Sequence, residues 1–114
     1  MRADDAIRLR HILDAIQQAT QFLQGRSKED LQADAQLRLA LIKCVEIVGE
    51  AAARLSLETQ QLNPQIPWRE IVAMRNRLIH TYFDVNLNIL WKTVEHDLPL
   101  LKLGIERIVD KTPG

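Results

Sequence analysis

Cysteine is scarce in this chain: of 114 residues only Cys44 carries a thiol. No internal disulfide can form, and a reducing, cytoplasmic location is expected. Glycine and proline number four each, which leaves few signals to interrupt long periodic segments. Net charge is absent, with 15 Lys plus Arg against 15 Asp plus Glu. That balance excludes wholesale electrostatic wrapping of nucleic acid but leaves room for a local site, because fields depend on where charges sit. No apolar run has the length of a signal-peptide core, and none approaches the roughly 18 residues of a membrane span. No glycine-rich phosphate loop occurs, so an ATPase or nucleotidyltransferase activity of this chain itself is not expected.

What is present is a 46% apolar content, enough for the core of one domain over residues 1–114. A domain of this size often gains stability from a partner subunit. Ala6, Leu9, Leu13, Ile16, Ala19 and Leu23 recur at helical spacing and predict a first helix that Gly25 closes. Ser27, with Glu29 and Asp30 following, fits a capped turn. Asp34 to Leu57 carries a second stripe through Leu37, Leu41, Cys44, Val45, Val48, Ala52 and Leu55. Within it, Gly49 and Ala51 to Ala53 would let another helix approach closely. Pro64 and Pro67 mark a connection; a third helix is predicted from Trp68 to Phe83 and a fourth from Leu87, kinked at Pro99. The expected fold is all-α, an up-and-down bundle of four main helices with short accessory helices near 27–33 and 57–62.

The third helix breaks its own pattern. On a wheel advancing about 100° per residue, Ile71, Val72, Leu78 and Ile79 share a stripe with Trp68. Arg75 falls about 20° from its centre and Tyr82 about 40°, while Arg77 and Glu70 point the other way. A guanidinium on an apolar face is costly unless it is paired or stands at a cleft. Asn76 and His80, four apart, would be neighbours on the adjoining flank.

This set can process an RNA phosphodiester without a metal. Arg75 would grip the phosphate and stabilise growing charge, His80 would move a proton near neutral pH, and the 2′-hydroxyl would be the nucleophile. Tyr82 could bond the phosphate, stack on a base or be modified. Each residue also has a structural reading: a salt bridge from Arg75 to Glu50 or another acid across the bundle, a surface His80, a buried Tyr82 with its hydroxyl satisfied, an Asn76 that orients His80. A non-catalytic module binding RNA or a nucleotide, or a purely structural dimer subunit, would use the same polar seam. His11 and His96 lack the spacing of a metal motif and receive no chemical role, and Cys44 reads as a buried small side chain.

The octad Arg75-Asn76-Arg77-Leu78-Ile79-His80-Thr81-Tyr82, of the form R-x4-H-x-Y, resembles the signature of the HEPN superfamily, specifically of HepT-like toxins. The resemblance extends to Glu50-Ala51-Ala52, to Pro64 through Ile71, to Tyr82-Phe83-Asp84-Val85, and to Leu90-Trp91 and Asp97-Leu98-Pro99. It implies a small helical endoribonuclease, the toxin of a type VII toxin–antitoxin pair, acting as a homodimer on RNA, with tRNA among the candidates and no cofactor or metal. By that resemblance Arg75 and His80 are catalytic across a shared cleft and Asn76 supports them. It further implies a cognate MntA-like nucleotidyltransferase antitoxin that transfers AMP to Tyr82. Residues 69–82 hold three arginines against one glutamate, a local positive excess that two facing copies would concentrate.

Overall fold

The structure is a computed structural model describing residues 1–81 and 84–111, and for residues 79–81 the backbone alone. Three long helices carry the core: α1 (Ala3–Leu23), α3 (Ala35–Ala53) and α8 (Leu98–Lys111). Between them lie α2 (Lys28–Ala33), α4 (Leu57–Leu62), α5 (Trp68–Val72), α6 (Met74–Leu78) and α7 (Leu87–Lys92), each of five or six residues. The helical-bundle class stands, and α2 and α4 fall where accessory helices were expected. The reading of four main helices does not stand: the predicted third helix is two short ones followed by a hairpin.

Local chemistry explains most boundaries. Gly25 takes a left-handed φ of 72° after α1, which a residue with a Cβ would resist. The Ser27 amide donates to the Asp30 carboxylate at 2.6 Å, and the Leu37 amide donates to Asp34 Oδ1 at 3.1 Å, so both acids satisfy helix N-termini. Arg26 pairs with Asp34 across the turn. Pro99, which lacks an N–H and whose ring crowds the carbonyl four residues back, follows a π-helical turn over Thr93–Asp97. The kink expected at Pro99 thus takes the form of a widened turn inside a helical run that continues into α8.

α1 packs most extensively on α3 and then on α8. Leu9, Ile12 and Ile16 of α1, Leu41, Val45 and Val48 of α3, and Leu98 and Ile105 of α8 are fully buried. The α1 stripe is rotated from the expected one: Ala6 is exposed and Asp5 is buried. Asp5 accepts from the Ser56 amide at 2.9 Å, the Ser56 hydroxyl at 2.6 Å and the Thr59 hydroxyl at 2.6 Å, fastening the start of α1 to the start of α4. Burial alone would raise the Asp5 carboxyl. The Ser56 and Thr59 hydroxyls, the Ser56 amide and the Arg2 charge outweigh it and hold the carboxyl below the ordinary carboxylate range. Cys44 is buried as expected, and burial pushes its thiol up, away from reactivity. Among the described residues, no helix is long and apolar enough to cross a membrane.

Candidate active site

The segment bearing the R-x4-H motif is held from below by Trp68. Its indole Nε1 donates to the carbonyls of Gln60 (3.1 Å) and Asn63 (3.0 Å), tying the first turn of α5 to the end of α4. Pro67 is the N-cap of α5, which begins at Trp68 as expected. Behind α5 lies Gly49, buried in α3, whose hypothetical Cβ would sit 3.5 Å from the carbonyl oxygens of Ile71 and Val72. That is ordinary contact, so α5 crosses α3 closely at a small residue without requiring glycine.

Ala73 separates α5 from α6, and α6 ends at Leu78. The chain then runs extended as β1 (Ile79–Thr81), paired antiparallel with β2 (Asp84–Val85), and the Asn86 amide bonds the Leu78 carbonyl at 2.8 Å. That bond occupies the acceptor that would have continued the helix. The next helix starts at once, because Asn86 Oδ1 accepts from the Ile89 amide at 3.0 Å. The predicted helix through Phe83 is therefore corrected. His80 lies on a strand two residues beyond α6, so the helical adjacency expected between Asn76 and His80 does not exist. The roles read for Tyr82 fall outside the described residues.

Arg75, which the wheel placed near the centre of the stripe, is part-exposed at a groove, and it answers to both expected reasons at once. Its Nε donates to Glu46 Oε1 at 2.8 Å, and it lines a groove with Asn76 of α6, Val72 of α5, and Glu46, Gly49, Glu50 and Ala53 of α3. The groove is open and holds about 480 Å³. Its acid partner is Glu46, one turn before the expected Glu50. Glu46 also lies 3.9 Å from Lys43, an exposed contact of little energetic weight. Sequence reading overlooked Glu46; the available signal was its four-residue spacing from Glu50, which puts both acids on one face of α3.

One side chain departs from expectation, and Arg77 points away from the stripe as expected. Val72, assigned to the buried stripe, is 40% exposed at the rim of the groove. Arg77 turns back and donates to the Glu70 carbonyl at 2.5 Å, so it does not line this groove. The positive excess counted along residues 69–82 is thus not what the groove contains: its described lining sets Arg75 against Glu46 and Glu50. Among the described residues, no group of three or more His, Cys, Asp or Glu side chains is placed to hold a metal ion.

With this geometry in place, comparison with known proteins is informative. A family model described as Ribonuclease HepT-like matches residues 12–108. A probable ribonuclease HepT of Thermococcus cleftensis is 40% identical over 100 residues, covering 88% of this chain and 91% of that protein. A putative RNase of Caldanaerobacter subterraneus subsp. tengcongensis is 37% identical, covering 90% of this chain and 92% of its own length. A Methanocaldococcus jannaschii protein named as both a gamma-glutamylcyclotransferase and a putative RNase is 36% identical over 97% of this chain, which spans 50% of that longer protein. No solved structure matches. The family match runs from within α1 into α8, across the Trp68 anchor and the whole R-x4-H segment, and on it the chain belongs to the HepT-like ribonuclease family.

Proposed function

We propose that this chain is a metal-independent endoribonuclease toxin, cutting RNA at a cleft built by two copies, with Arg75 and His80 as catalytic residues. The observation that carries the proposal is the setting of Arg75: one N–H edge is fixed by Glu46 at the lip of an open groove, in a member of a ribonuclease family. A guanidinium oriented in this way can meet a phosphate at the geometry the transition state needs without reorganising first. His80 follows five residues later on β1. It would take the proton of the 2′-hydroxyl as that oxygen attacks phosphorus, and the bond to the 5′-oxygen breaks to give a 2′,3′-cyclic phosphate and a 5′-hydroxyl. Each chain offers one histidine in the motif, so a second copy supplies the second imidazole that the leaving oxygen calls for. Asn76 lines the same groove and supports it.

Control in this reading comes from a nucleotidyltransferase antitoxin of the MntA type, which transfers AMP to Tyr82 in the cytoplasm. A bulky anion added seven residues after Arg75 would compete with the RNA phosphate for the same positive groups. The test is the chemistry of the ends: in excess chelator the protein should leave 2′,3′-cyclic phosphate and 5′-hydroxyl termini on RNA. RNA binding without product, in chelator and with metal alike, would replace this reading with that of a binding module. Incubation with ATP and the cognate transferase should add AMP to the intact chain and leave Tyr82→Phe unmodified.

A further inference from the structure

The groove beside Arg75 is poor in positive charge for a site that must attract a polyanion, since its described lining holds two carboxylates and one guanidinium. The missing charge lies next door. Glu50 also lines a second cavity, of about 70 Å³, between α1 and α3, together with Arg8, His11 and Arg54. Arg8 and His11 are one turn apart on α1, as are Glu50 of α3 and Arg54, the residue that caps α3, so the two helices present these groups to a common space. The Nε of Arg8 is buried and has no hydrogen-bond partner among the described residues. Such an orphan is rare in native proteins and calls for an acceptor.

We propose that Arg8, His11 and Arg54 form a phosphate subsite that binds the RNA backbone at a phosphate other than the scissile one. Glu50 is the wall between the subsite and the groove of Arg75. The inference rests on the proposed ribonuclease function and deepens it. Two guanidiniums can grip the non-bridging oxygens of one phosphate, and the imidazole adds a further donor. The cavity has room for a single small oxyanion rather than a base, so the subsite reads the backbone and carries no sequence preference. It also supplies what the groove lacks: with both cavities counted, three arginines face two glutamates in each protomer.

The test compares cleavage of a 20-nucleotide RNA with cleavage of a dinucleoside monophosphate, which has no second phosphate, by wild type, Arg54→Gln, Arg8→Gln and the exposed control Lys28→Gln. Arg54 is itself exposed, so its substitution keeps the comparison valid even where Arg8→Gln disturbs folding. In Arg54→Gln the kcat/KM preference for the longer RNA should shrink at least fivefold. The log–log salt slope of binding should become shallower by about 0.7, the value for one single-strand phosphate contact, while Lys28→Gln keeps the wild-type preference. A wild type that cleaves RNA with a preference untouched by Arg54→Gln overturns the subsite and leaves the proposed function standing. Inhibition by inorganic phosphate that depends on Arg54, with unchanged handling of the longer RNA, overturns the assignment to RNA in favour of a free oxyanion. A wild type that neither binds nor cleaves RNA overturns both readings together.

Discussion

Two carboxylates of this protein are engaged by side chains from distant parts of the sequence, and they are engaged in opposite ways. Asp5 is 2% exposed and accepts three hydrogen bonds from Ser56 and Thr59. Glu46 is 26% exposed and pairs with Arg75, itself 37% exposed, at the rim of a groove. The first arrangement is closed: its donors are pre-placed around a buried charge, and it joins helix to helix. The second is open: Arg75 lines the groove while its Nε bonds Glu46. A closed charge of this kind stabilises the fold, whereas a paired charge at the rim of a groove stands where a ligand can reach it.

That contrast can be broken by substitution. Asp5→Ala should have the largest effect on stability, about 3 kcal/mol, because it removes charge-assisted hydrogen bonds and takes their acceptor from the buried Thr59 hydroxyl and the part-buried Ser56 hydroxyl. In a domain of this size that lowers Tm by about 10 °C, measurable by thermal unfolding. Activity per folded molecule should be retained.

The same carboxylate sets an acid limit. Its pKa is lowered in the fold below the ordinary 3.8, so the folded state binds its proton less readily than the unfolded chain. Its contribution is present above the unfolded value and is lost as pH falls through the lower folded one. Asp5→Asn should therefore be less stable than wild type at neutral pH, and the gap should narrow below about pH 4. Urea titrations at several pH values would show it; a gap constant with pH contradicts the closed-charge reading.

Glu46→Ala should show the opposite balance. The pair is half open, so stability should change by less than about 1 kcal/mol. RNA cleavage should fall about tenfold, largely in kcat, as Arg75 loses its orientation. The smallest effect is expected at Gly49. Its Cβ position meets two carbonyls at ordinary distance, so Gly49→Ala should raise stability by about 0.5 kcal/mol through helix propensity alone.

Much of this molecule was legible in its pattern. Leu9, Ile16, Leu41 and Val45 were placed in the core by spacing, and Gly25 at a helix end by its conformational habit. Arg75 was visible as a charge on an apolar face. What periodicity hid were contacts closed over distance. Asp5 is buried because Ser56 and Thr59 come to meet it from more than 50 residues away, and Glu46 reaches Arg75 across 29 residues. The hairpin was missed for another reason. The apolar spacing of residues 68–79 fits a helix, yet Ile79 and Thr81 are β-branched and are followed by two aromatics, a composition that favours extended backbone. The wheel consequently placed His80 beside Asn76, and the strand separates them. Arg8, His11 and Arg54 were individually unremarkable; only the packing of α1 on α3 gathers them.

The most direct test of the central claim is the cleavage rate of Arg75→Ala and His80→Ala in excess chelator, alongside their circular dichroism and mass in solution. Both variants should stay folded and keep the wild-type oligomeric mass, and both should lose at least about 100-fold in rate, the scale expected for removing a proton-transfer group or a charge-stabilising donor. Folded variants that cleave RNA at the wild-type rate would contradict it.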